Sequence, residues 1–157
     1  MSDRERILEA KGYSLSWAPS AGAIYKPVVI VDRMAYVSGC VPFEGEGKLF
    51  SKGKVKSQVP IEIAKRAAEL CAANVLRLIR REVGSLDRVE RIVKTLGFVN
   101  SDPDFIEQHL VINGASQLFV DVFGKDAGVG ARSAVGMGQL PLGSSVEVEA
   151  ILLLKAQ

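Results

Sequence analysis

Apolar residues recur at helical spacing between Val59 and Val83. Ile61, Ala64, Ala68, Cys71, Val75, Leu78 and Ile79 fall on one stripe, and Gly84 follows as a left-handed stop. The spacing predicts the chain's longest helix there. "DRERILEAKG" has a charged helical pattern closed by Gly12 and predicts a short N-terminal helix. "VVIVDRMAYVSG" is two β-rich runs around Asp32-Arg33, a hairpin signal. "PFEGEGKLFSKGKV" is glycine-rich and reads as an exposed loop or a loose hairpin. "RVERIVKTLGFVN", from Arg88 to Asn100, predicts a strand. Asp102-Pro103 predicts the start of a second long helix, with Asp102 as N-cap and Pro103 in the first turn. That helix is expected to stop at Gly124. "ARSAVGMGQL" and "VEVEAILLL" predict two last strands, closed into a hairpin by "PLGSS".

The order is hairpin, helix, strand, helix, hairpin. Strands mixed with two long helices predict an α+β fold, with both helices packed on one face of a mixed sheet. No repeat or linker interrupts it, so residues 1–157 are read as one domain, with 1–20 as a helical extension.

Composition narrows the function classes. The chain has 157 residues, enough to bury roughly 68–70% of its unfolded surface. A net charge of +2 gives no reason to expect a nucleic-acid partner. The densest basic stretch, "RLIRREVG", lies on a helical pattern and reads as a solvated face. Cys40 and Cys71 lack metal-ligand spacing and read as free thiols in a reducing cytoplasm. No signal-peptide h-region and no membrane-length apolar run is present, which predicts a cytoplasmic protein without a membrane partner.

Most motif candidates fail on spacing. Gly128-Val129-Gly130-Ala131-Arg132-Ser133 begins like a dinucleotide fingerprint, but a third glycine is missing and the segment follows a helix. His109 is the only histidine and has no nucleophile pattern beside it, so it reads as a surface or capping residue. A histidine-rich metal site is excluded by count, and no carboxylate cluster suggests another.

Two charges on the last strands stand out. On a strand, Arg132, Ala134, Gly136 and Gly138 share one face. That face is nearly bare and leaves room for a bidentate carboxylate beside the guanidinium. A structural ion pair is the competing reading. Glu147 shares a face with Glu149, Ile151 and Leu153. It is read either as an acid, base or water-positioning group, or as an exposed strand residue. In the hairpin register Leu140 faces Val146 and Arg132 faces Leu154. Glu147 then lies more than about 20 Å from Arg132, at roughly 3.3 Å per residue. A site using both charges would have to form between copies of the chain.

"ARSAVG…LP…VEVEA" resembles the C-terminal signature of the RidA family, also called the YjgF/YER057c/UK114 family. "YVSG" resembles its Ser-Gly strand end, Tyr25 has the spacing of its pocket tyrosine, and Asn113 in "VINGASQLF" stands where the family often has asparagine. The resemblance covers roughly residues 20–155. It implies a chorismate-mutase-like fold, a homotrimer with clefts between subunits, and hydrolysis of reactive imines such as those from 2-aminoacrylate. Carried over by position, Arg132 would grip a substrate carboxylate and Glu147 would hold the attacking water. Tyr25, Ser38, Gly39, Asn113 and Ala134 would shape the pocket. Such chemistry calls for no metal or cofactor. The departures are Ala134, where the archetypal deaminases have cysteine, Gly130 in place of proline, and Cys40 after "SG". They mark a divergent subgroup. A non-catalytic carboxylate-binding trimer is the alternative, and the endoribonuclease or translation-inhibitor role attached to some relatives ranks below it.

Overall fold

The structure is a computed structural model and describes residues 1–45 and 47–156. Helix α1 covers Asp3–Ala10. Strands β1 (Val28–Val31) and β2 (Met34–Cys40) form the expected hairpin, with Asp32 at φ 53° in its two-residue turn. The glycine-rich segment is a loose hairpin of β3 (Phe43–Gly45) and β4 (Lys48–Leu49). Helix α2 spans Ile61–Val83 and ends on Gly84 at φ 83°, as the spacing predicts. Strand β5 (Val89–Asn100), helix α3 (Gln108–Gly128), strand β6 (Ala131–Met137) and strand β7 (Val146–Leu154) complete the order.

The five-stranded sheet has the order β1-β2-β7-β5-β6. Only β5 and β6 are parallel; the other neighbours are antiparallel. Helices α2 and α3 pack on each other and on one face of this mixed sheet. No helix among the described residues is long and apolar enough to cross a membrane.

Two expectations are corrected here. Strands β6 and β7 do not form a hairpin. The chain from β5 through α3 to β6 is a crossover that lays β6 parallel on the outer edge of β5. Strand β7 alternates fully buried Val146, Val148, Ala150, Leu152 and Leu154 with partly buried residues, and that pattern needs a central position between β2 and β5. Strand β6, with mostly small side chains, tolerates the edge. The second long helix also starts later than Asp102-Pro103. The Asp102 carboxylate accepts from the backbone N–H of Ser57 (2.8 Å), and Asp102 opens a turn that buries Phe105. The helix begins at Gln108, bends at Gly124 (φ 78°) rather than ending there, and runs to Gly128.

The N-terminal extension is docked. Ser2 and Glu5 form a capping box, and Glu5 also accepts from the backbone N–H of Leu86 (3.1 Å). Leu8 is wholly buried. The chain then crosses α2, where the basic run departs from expectation: Arg77 is 4% exposed rather than solvated. Its Nε donates to Ser14 O (2.8 Å), an NH group donates to Asn74 Oδ1 (2.7 Å), and its guanidinium lies 4.3 Å from the Trp17 ring centre.

Helices α2 and α3 touch backbone to side at Gly114. A Cβ there would lie 2.0 Å from the carbonyl oxygen of Lys65. Backbone cannot yield as a side-chain tip can, so Gly114→Ala must push the helices apart. The gain in helix propensity, about 1 kcal/mol, is smaller than this overpacking. Gly114→Ala should lower stability by about 1–3 kcal/mol in urea unfolding; an unchanged midpoint would refute the close crossing.

Candidate active site

Four of the expected residues meet in one concavity. Tyr25, Ser38, Gly39 and Glu147 line a pocket of about 890 Å³ at the end of β2. The backbone arranges this. Between Val37 and Cys40 the pairing of β2 with β7 shifts by one residue, a bulge at Ser38-Gly39. The Ser38 hydroxyl donates to Lys26 O (2.7 Å), fixing the segment that carries Tyr25. Gly39 then lies under the Glu147 carboxyl. A Cβ on Gly39 would come within 1.8 Å of Glu147 Oε1, so any larger residue there would push the carboxyl out of its present position.

Burial pushes the Glu147 carboxyl above its ordinary value, and the neighbouring Glu149 charge adds to the effect. The group is therefore poised to exchange a proton nearer neutrality than a free carboxylate. Cys40, also in the lining, is different. Burial first, and the Glu147 charge second, push its thiol up to about 12, so it stays a neutral, unreactive side chain.

Arg132 and Asn113 lie elsewhere. On β6, Arg132 pairs with Thr95 of β5; on β7, Glu147 pairs with Phe98 of β5. Thr95 and Phe98 are three apart on one regular stretch of strand, so their partners point to opposite faces. Arg132 faces the helices and Glu147 faces away from them. The two charges do not meet within one chain, for a different reason from the hairpin register: the sheet itself stands between them.

The Arg132 guanidinium lies along α3. It donates to Asn113 Oδ1 (2.8 Å), Ser116 Oγ (3.1 Å) and the carbonyl of His109 (3.2 Å). Asn113 and Ser116 are three apart and share a helix face. His109 is exposed in the first turn of α3 and contributes its backbone, not its imidazole. Each of these partners is neutral, and among the described residues Arg132 has no ion-pair partner. The expectation of a bare face beside Arg132 is corrected in part. Ala134 packs against the core, and a Cβ on Gly136 would meet Gln108 at 2.8 Å and Ser101 at 3.1 Å. The space on this face is filled by protein at Gly136 and open again at Gly138. Ser116 and the His109 carbonyl were not legible in the sequence; the only signal for Ser116 was its i+3 spacing from Asn113.

An open-faced mixed sheet backed by two long helices defines the chorismate-mutase-like α+β class. A family model described as "YjgF/chorismate mutase-like, putative endoribonuclease" matches residues 5–152, and the chain belongs to that family. TCP17 of Trypanosoma cruzi is 39% identical over 147 residues, covering 94% of this chain and 91% of TCP17. UK114 of Drosophila melanogaster, a RutC family protein, is 28% identical over 131 residues, covering 83% of this chain and 80% of its own. The crystal structure of Atu1372 from Agrobacterium tumefaciens, a protein of unknown function, superposes with a TM-score of 0.89 at 44% identity, covering 97% of this chain and 92% of that one.

The raised Glu147 carboxyl has a signed consequence. The folded state favours the protonated form, so its contribution to stability is full below the ordinary value of 4.5 and is lost as pH rises through the raised value. Glu147→Gln keeps the neutral form at every pH. The variant should melt higher than the parent at neutral pH, with the difference vanishing in acid. Thermal unfolding across that range checks it; equal melting temperatures at neutral pH would contradict the burial of this charge.

Proposed function

We propose that the chain is a cofactor-free hydrolase of imines and enamines derived from 2-amino acids, acting in clefts between the copies of a homotrimer. The observation that carries this reading is the Arg132 guanidinium, held on the edge of the sheet by neutral groups alone. Its positive charge has no ion-pair partner among the described residues, and its fork is pre-set by α3. That is what a carboxylate ligand needs. The Glu147 pocket faces the other way, so one copy would supply Arg132 and Asn113, and a neighbour would supply Glu147, Tyr25, Ser38 and Gly39.

The uncovered face of the sheet supports association. Val29, Tyr36 and Ile151 lie side by side across three strands, and Val31, Met34 and Leu153 form a second row. Tyr36 and Val29 are each 44% exposed in the single chain. An apolar stripe of this kind marks a surface that is covered in use.

The chemistry asks little of the protein. An enamine first tautomerises to its imine. Water then adds to the imine carbon, giving a carbinolamine, which collapses to a 2-oxo acid and ammonia. Arg132 would hold the carboxylate and set the imine carbon beside the pocket. Glu147 would take a proton from the water and return it to the departing nitrogen, a role that suits its raised proton affinity.

Hydrolysis of 2-iminopropionate, generated in place by an amino-acid oxidase and followed by its decay, tests the assignment. Arg132→Ala should lower kcat/KM by about 10²–10³-fold, the usual cost of removing one partner of a charge pair. Arg132→Lys, which keeps the charge and loses the fork, should fall between. Undiminished hydrolysis by Arg132→Ala would refute the role. Saturable 2-oxo acid binding with no ammonia released would instead make the chain a carboxylate-binding protein.

A further inference from the structure

The pocket that holds Glu147 is much larger than the reaction centre requires. Its volume of about 890 Å³ lies in the range of roughly 300–1,000 Å³ that takes a drug-sized ligand. In the single chain, a three-carbon imino acid would leave most of it empty. Ser38, Gly39 and Glu147 supply polar groups from β2 and β7, and Ser20 adds a hydroxyl to the lining. Much of the remaining wall is aromatic and aliphatic: Trp17, Tyr25, Val41, Phe43, Leu78 and Leu142.

This wall is built rather than incidental. Trp17 comes from the N-terminal extension, and its ring is held against the Arg77 guanidinium. Arg77 also binds Ser14 O and Asn74 Oδ1. Asn74, fully buried, donates in turn to Val41 O (3.0 Å) and Phe43 O (3.2 Å). One buried polar chain therefore ties the Trp17 wall to the Val41–Phe43 wall. Arg81 donates to Pro19 O (3.0 Å) and pins the extension a turn further along α2. Leu142 completes the lining from the β6–β7 connection. It is 66% exposed and sits at φ 59°, a left-handed conformation that disfavours a leucine. A strained, exposed leucine aimed at a pocket is the kind of local cost that persists at ligand sites.

We infer that the pocket selects 2-imino and 2-oxo acids with an aromatic side chain, which would lie against Trp17 and Leu142 while the 2-carbon stands at Glu147. This rests on the reading of the site as an imino-acid hydrolase and names its substrate class. Flat rings stack or meet edge to face with other rings, and a held Trp17 offers a pre-set partner. The N-terminal extension thus acts as a specificity element.

The test pairs binding with turnover on the full chain. Calorimetry should give phenylpyruvate a Kd at least about tenfold below that of pyruvate, consistent with burial of a ring. Trp17→Ala should remove most of that preference and leave pyruvate binding within about twofold. Trp17 also anchors the extension, so Leu142→Gly serves as a second variant. It relieves the left-handed backbone, should not lower the melting temperature, and should weaken phenylpyruvate selectively. Equal affinity for the two acids in the parent, or equal losses for both acids in the two variants, would overturn the inference. Turnover separates it from the reading beneath it. If phenylpyruvate is preferred but the imines of alanine and phenylalanine both survive, the hydrolase reading fails and the pocket assignment stands. If both imines are hydrolysed at equal kcat/KM and neither oxo acid is preferred, the hydrolase stands and the aromatic selectivity fails.

Discussion

The pleat of β5 decides where chemistry is possible in this chain. Its residues alternate between the helix side and the open side of the sheet. Thr95 brings Arg132 to the helix side through β6, and Phe98 brings Glu147 to the open side through β7. No rotamer change can bring the two charges together, because a hydrogen-bonded sheet lies between them. Each charge is instead prepared alone. Arg132 is oriented by α3, and Glu147 is desolvated above Gly39. On the reading proposed above, the two charges would complete one site only where two copies of the chain meet.

The second organising interaction is the buried Arg77. A cation 4% exposed with no salt bridge among the described residues is costly unless its donors are satisfied and its charge is delocalised. Here a backbone carbonyl, an amide oxygen and an indole face meet those needs. The same contacts fix the N-terminal extension over α2. The pocket therefore has rigid walls on two sides, and a polar residue in the core determines the shape of an apolar surface.

Helix α2, its Gly84 stop and the β1–β2 hairpin are legible in the sequence, because they depend on local spacing and turn chemistry. So is the α+β class, and the structure places Tyr25, Ser38, Gly39 and Glu147 together in one pocket. The partners of β6 and β7 are not. "ARSAVGMGQL" followed by "PLGSS" reads as a hairpin, and only the packing of α3 against β5 shows that β6 belongs to a crossover. Asp102 carries a genuine capping signal, but the Ser57 N–H uses its carboxylate, and the helix waits until Gln108. Arg77 belongs to a basic run that reads as solvated, and its burial depends on a segment more than sixty residues away in the chain. Long-range packing, not local propensity, accounts for each of these differences.

The central claim is that a working site joins Arg132 of one copy to Glu147 of another. Co-expression of Arg132→Ala and Glu147→Gln chains in equal amounts tests it most directly. Each variant alone has a damaged half in every site and should show almost no imine hydrolysis. In mixed oligomers, sites pairing the intact Arg132 of one variant with the intact Glu147 of the other should return about a quarter of the parent activity. If the mixture stays as inactive as its components while the oligomers demonstrably exchange chains, the two charges do not serve one site between copies.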